Sequence, residues 1–72
     1  MHSTGDLRQR LVRDDPDYQR LSRKHDEYDR RLAELRAQKY LSQDEQMEEV
    51  RLKKLKLAIK DRMEAIVRRA MA

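Results

Sequence analysis

The sequence predicts an all-α protein: an antiparallel two-helix hairpin, coiled-coil-like in its packing, with a short N-terminal helical segment and assembly into a helical-bundle oligomer. Three observations carry this reading. Ala, Glu, Lys, Leu and Arg make up more than half of the 72 residues, and 44% of the chain is charged, well above the norm of about 25% for globular domains and in the range of long helices. Apolar residues recur at helical spacing in two long runs. There is one Gly, one Pro and no Cys, which excludes a turn-rich β-barrel, a disulfide-stapled scaffold, a thiolate metal site and a cysteine nucleophile.

The elements follow in chain order. Residues 1–14 read as a flexible or short helical segment. Ser3, Thr4 and Gly5 make a frayed start, and Leu7, Leu11 and Val12 permit a short helix because Leu7 and Leu11 share a face. Asp14, Asp15 and Pro16 interrupt it. Proline suits the first position of a helix, Asp15 before it can cap the free amides, and Asp17 is favourable to the dipole. A helix is therefore expected from about 16 to 39, although one kinked helix running through Pro16 is the rival.

That helix carries the strongest signal. Tyr18, Leu21, His25, Tyr28, Leu32 and Leu35 follow spacings of 3, 4, 3, 4 and 3, an unbroken heptad seam. A turn is expected at about 40–42. Ser42 and Glu45 then form a capping box, so the second long helix should run from about 43 to 71. Its seam is Leu52, Leu55, Ile59, Met63, Ile66 and Ala70, which span a wedge of about 80°.

So short a connection makes the helices antiparallel neighbours and the segment 15–72 one hairpin. Folding about Leu41 sets Tyr18 opposite Met63, Leu21 opposite Ile59, His25 and Tyr28 near Leu55, and Leu32 near Leu52. Two helices bury little apolar surface against the entropy of ordering them. The last helix also carries a second apolar set, Met47, Val50 and Leu57, turned well over about 100° from the first. A homo-oligomer, dimer or larger, or a protein partner is expected to cover it.

Several segments resemble the YdcH-like family of small bacterial proteins of unknown function: Asp15-Pro16-Asp17-Tyr18, Leu21, His25-Asp26-Glu27-Tyr28-Asp29, Leu41-Ser42-Gln43-Asp44-Glu45, and Leu52-Lys53-Lys54-Leu55-Lys56-Leu57-Ala58-Ile59-Lys60-Asp61-Arg62-Met63. The likeness covers roughly Leu7 to Val67. Leu55 stands where a polar residue is the family's habit, and Ala58-Ile59 also departs from it. The resemblance implies a self-associating helical hairpin of the bacterial cytoplasm, and no reaction.

Candidate chemistry is sparse. His25, with Asp29 one turn on and Tyr28 beside it, is the one candidate for a general base or pH switch. No second His, Gly-rich loop or suitably spaced Ser or Thr joins it, so a structural histidine bonded to Asp29 or across the hairpin is expected. Two ligands do not make a metal site, and His2 in the loose terminus adds nothing. No catalytic, metal or cofactor residues are therefore assigned. Tyr18 and Tyr28 could serve as stacking platforms, but their seam positions point to core packing; Tyr40 falls in the connection.

Eighteen Lys and Arg against fourteen Asp and Glu give a net charge of +4. Its distribution says more: Asp44 to Glu49 holds four anions and no cation, whereas Arg51 to Lys60 holds Arg51, Lys53, Lys54, Lys56 and Lys60 and no anion. These five are the candidate nucleic-acid contacts, by electrostatics and without sequence preference, although on the wheel they form no single stripe: Arg51 and Arg62 border the seam on one side, Lys53, Lys56 and Lys60 on the other, and Lys54 points away. The rival is a solvated flank paired with Asp26 and Asp29 of the first helix. No apolar run is long enough for a membrane span. The expected function is that of a small non-enzymatic interaction protein of the cytoplasm, with nucleic-acid association as the alternative.

Overall fold

The computed structural model describes residues 4–72 of the chain. Among them are three helices and no strand: α1, Thr4–Asp14; α2, Pro16–Ala37; and α3, Gln43–Met71. The molecule is a rod of 46 × 20 × 17 Å, its long dimension set by α3, whose 29 residues rise about 43 Å.

Each boundary has a local cause. Asp15 sits in extended backbone at φ −105° and ψ 110°, its carboxylate accepts from the Tyr18 amide at 3.0 Å, and Pro16 follows at the first helical position. The break between α1 and α2 is one residue wide, and the two are separate helices rather than a single kinked one. The side-chain amide of Gln19 spans the break, donating to the Arg13 carbonyl at 2.8 Å, a group that the end of α1 leaves without a helical donor. Thr4 and Gly5 belong to α1, not to a frayed start.

The second boundary differs from the expected one. α2 stops at Ala37, two residues early, because Gln38 turns extended at ψ 139° while its amide closes the last turn on the Leu35 carbonyl. Lys39 and Tyr40 therefore lie in the connection, with the Lys39 ammonium 5.8 Å from the centre of the exposed Tyr40 ring. At Ser42 the capping box is complete. The Glu45 amide donates to Ser42 Oγ at 3.1 Å, and the Ser42 amide donates to the Glu45 carboxylate at 3.0 Å. Gln46 adds a bond to the Leu41 carbonyl at 3.3 Å.

α2 and α3 pack along their length as an antiparallel hairpin. Leu32, Leu35 and Leu52 form the dry centre near the bend, with Tyr28 and Leu41 packed against them. Tyr18, Ile59 and Val67 are buried toward the open end. Leu21, His25, Tyr28, Met63 and Ile66 are half-buried on the same seam. Two seam positions depart from expectation. Leu55 is 39% exposed, because the α2 side chains at its level leave an open groove beside it. Ala70 is exposed, since the last turn of α3 runs past its cover. Val67, absent from the expected seam, is buried instead.

At the open end α1 is docked on the hairpin. Leu7, Arg8 and Leu11 are half-buried, and Arg8 Nη2 donates to the Glu64 carboxylate at 2.9 Å. That bond raises the Arg8 pKa and lowers that of Glu64. The segment thus closes the open end of the hairpin as a helix. His2 lies outside the described residues.

A cationic groove as candidate functional site

The register of the hairpin distributes charge unequally over its two long edges. On one edge Lys56 bonds Asp29 across the hairpin, and Lys53 reaches Glu49 on its own helix at 3.4 Å. The Lys56 ammonium holds the Asp29 carboxyl below its ordinary range. The expected pairing of Lys53, Lys56 and Lys60 with Asp26 and Asp29 is thus reduced to one cross-hairpin bond. Lys53 turns to its own helix, and Lys60 adds to the positive field at Glu64, one turn on.

On the other edge, near the bend, Arg31 Nε and Nη2 grip the Glu48 carboxylate at 2.8 and 2.9 Å, while Nη1 donates to Glu34 at 3.0 Å. This two-point fork fixes the helices in register as well as in charge. It raises the Arg31 pKa and lowers that of Glu48. Glu45 is lowered too, first by the Ser42 amide and then by the Gln38 side chain.

Further along this edge the carboxylates leave the space between the helices. A groove of about 410 Å³ opens between α2 and α3, floored by Leu21, Tyr28, Leu55, Ala58 and Ile59. Its rim is Arg20, Lys24 and Arg62. Among the described residues, none of these three cations has a carboxylate within ion-pair distance. Leu55 is exposed because it forms this floor. The volume lies within the roughly 300 to 1,000 Å³ of ligand-sized sites, and an apolar floor with a few charged groups at its edge is their usual chemistry.

The groove was only partly visible in the sequence. Leu21, Tyr28, Leu55 and Ile59 were seam positions, but Arg20 and Lys24 had not been singled out. Their signal was the spacing of four that stacks them on α2, opposite the turn carrying Arg62. The outward face of α3 adjoins this edge at Met47. Met47 is 62% exposed, Val50 53% and Leu57 60%, and Lys54 and Arg51 also face solvent, without an ion pair among the described residues.

The remaining candidates carry little chemistry. His25 Nδ1 lies 3.9 Å from the Asp26 carboxylate, too far for a hydrogen bond, so its nearest acidic neighbour is Asp26 and not Asp29. Tyr18 is buried on the seam, which removes it as a stacking platform, and Tyr28 is half-buried there in the groove floor. Among the described residues no group of three or more His, Cys, Asp or Glu is placed to hold a metal ion, and no helix is long and apolar enough to cross a membrane.

No curated protein and no solved structure matches the chain. One family profile does, that described as "Protein of unknown function (DUF465)", over residues 19–67, which takes in the hairpin from the second turn of α2 to the next-to-last turn of α3. The match spans more than half of the chain, so the chain belongs to this family of small uncharacterised bacterial proteins, the YdcH-like proteins.

Proposed function

We propose that the protein is a non-enzymatic interaction module of the bacterial cytoplasm that works by self-association, presenting the hairpin as a rigid rod to a second copy of itself. The observation that carries this reading is the outward face of α3. Met47, Val50 and Leu57, at 62, 53 and 60% exposure, recur at helical spacing on the side away from the core. Single exposed apolar residues need no explanation, but a row of them on one helix face is the usual mark of an interface. The dry core beneath is short, and a second copy would add the apolar burial that two helices lack.

The test is hydrodynamic. Light scattering after gel filtration, at micromolar concentration, should give a mass at least twice 8.8 kDa. Val50→Ser combined with Leu57→Ser should shift it toward the monomer while the helical circular dichroism is kept. A folded 8.8 kDa species for the unaltered chain would remove the proposal.

Sequence-independent nucleic-acid association is the second reading, favoured by the exposure of Arg51 and Lys54. It is weakened by the engagement of Lys53 with Glu49 and Lys56 with Asp29, which cancels part of the field a phosphate backbone would feel. Binding to generic duplex DNA that falls steeply with salt, and falls again in Lys53→Glu plus Lys56→Glu, would favour it over self-association.

A further inference from the structure

We infer that the cationic groove is one half of a two-fold interface, filled by the acidic bend end of a second copy, with Met47 on the floor and Asp44 and Glu34 at the rim. The inference rests on the self-association just proposed and sets its centre on the groove edge, which Met47 joins to the outward face, so that Val50 and Leu57 border the contact. Its origin is the edge that holds the groove. At 100° per residue, Met47 lies within about 20° of Ala58 around α3, Glu48 within about 20° of Leu55, and Asp44 within about 40° of Ala58; on α2, Arg31 lies within about 20° of Lys24. The groove floor therefore continues along the same edge to Met47, which is 62% exposed.

Along that edge the charge changes sign. Toward the open end stand Arg20, Lys24 and Arg62 without a carboxylate in the groove lining. Toward the bend stand Glu34, Asp44 and Glu48, of which Glu34 and Glu48 share Arg31, with the exposed Arg51 between the two ends. A surface that is basic at one end and acidic at the other is complementary to itself when turned end over end. That operation is a two-fold axis, which pairs the same patch on both copies and closes after two.

The register follows from the apolar positions. With Met47 of each copy over Ala58 of the other, the axis passes near the level of Leu52. Asp44 then reaches the level of Arg62 and Arg20, and Glu34 with Glu48 reaches that of Lys24. Each copy places one acidic end and receives one, so the arrangement repeats its contacts twice. Exposed ion pairs add little by themselves. Their work here is to fix register and direction, while burial of Met47, Leu55 and Tyr28 supplies affinity.

Mixing charge-reversed variants tests the register. Lys24→Glu with Arg62→Glu makes both ends of the edge acidic, and Glu34→Lys with Asp44→Lys makes both basic. Each variant alone should dimerise at least about tenfold more weakly than the unaltered chain in sedimentation equilibrium near 0.1 M salt. An equimolar mixture should recover the original affinity, because every contact between the two variants again joins opposite signs. If each variant keeps the original dimer strength, the groove is not the interface although self-association stands. If both are weak and the mixture stays weak, the two-fold register is wrong. If the unaltered chain is itself monomeric, the self-association reading fails first.

A covalent trap decides the matter should a reversed variant lose its fold. The chain has no cysteine, so Met47→Cys together with Ala58→Cys introduces the only thiols. Eleven residues separate them on α3, about 16 Å along the axis and far beyond the roughly 7 Å between Cα atoms that a disulfide spans. The two thiols of one copy cannot reach each other. Mild oxidation should yield a discrete dimer resolved by non-reducing electrophoresis, and persistence of the monomer would overturn the inference.

Discussion

The two ends of the hairpin are held by different physics. At the bend, Leu32, Leu35 and Leu52 make a dry cluster, the Ser42 and Glu45 box satisfies the first turn of α3, and the Arg31 fork to Glu48 joins residues only 17 apart in sequence. At the open end, where Tyr18 and Val67 are buried, α1 packs against both helices, and the ion pair that holds it, Arg8 to Glu64, joins residues 56 apart. Closing a longer loop costs more entropy before any contact repays it. The bend should therefore form first in folding and open last, with α1 the first element to exchange its amides.

Substitutions at the two ends should separate accordingly. Leu35, fully buried in the bend cluster, has no surface route for relaxation, so Leu35→Ala should cost about 3 kcal/mol by urea unfolding. In a rod this small that amounts to loss of the fold as a whole. Val67→Ala removes two buried methyl groups at the open end and should cost about 1.5 kcal/mol. Its amide exchange should accelerate in α1 and in the last turns of α3 while the bend stays protected. Equal loss of protection at both ends would mean that the rod opens as one unit and that the contrast is false.

The unequal ends also explain what was legible in the sequence. The hairpin announced itself because heptad spacing, a proline at a first helical position and a capping box are local signals whose partners lie within a few residues. The docking of α1, with Arg8 meeting Glu64 across 56 residues, has no local pattern that announces it. The groove was hidden for another reason. Leu55 satisfied the seam by period alone, yet its cover depends on the width of the side chains on α2 opposite, and these were judged on apolarity. The cations of α3 sort on the wheel to the two sides of the seam, but those of α2 were not weighed with them, and the fold leaves the unbalanced part on Arg20, Lys24 and Arg62.

The bend can be probed more finely through its cap. Ser42→Ala removes the acceptor for the Glu45 amide and should cost about 1 kcal/mol, seen as a lower thermal midpoint. Ser42→Gly should cost only a few tenths, because glycine tolerates the cap conformation. An unchanged midpoint for Ser42→Ala would show that the cluster of Leu32, Leu35 and Leu52 holds the bend without its cap.

The smallest expected effect is a pH dependence shared between the ends. Glu48 is held low by Arg31, Glu45 by the Ser42 amide, and Glu64 by Arg8. A carboxyl whose pKa is lower in the folded than in the unfolded chain contributes stability above its unfolded value and loses it as pH falls through the folded one. Stability should accordingly be level above the ordinary glutamate value of 4.5 and decline below it. All three groups are solvent-accessible, so the decline should be shallow and should flatten further at high salt. Glu48→Gln and Glu64→Gln divide it by region: the first should reduce the acid sensitivity measured by urea unfolding at the bend, the second the acid-induced exchange of α1. If Glu64→Gln left that exchange unchanged, the open end would be held by Leu7 and Leu11 against the hairpin, and the Arg8 bond would be incidental.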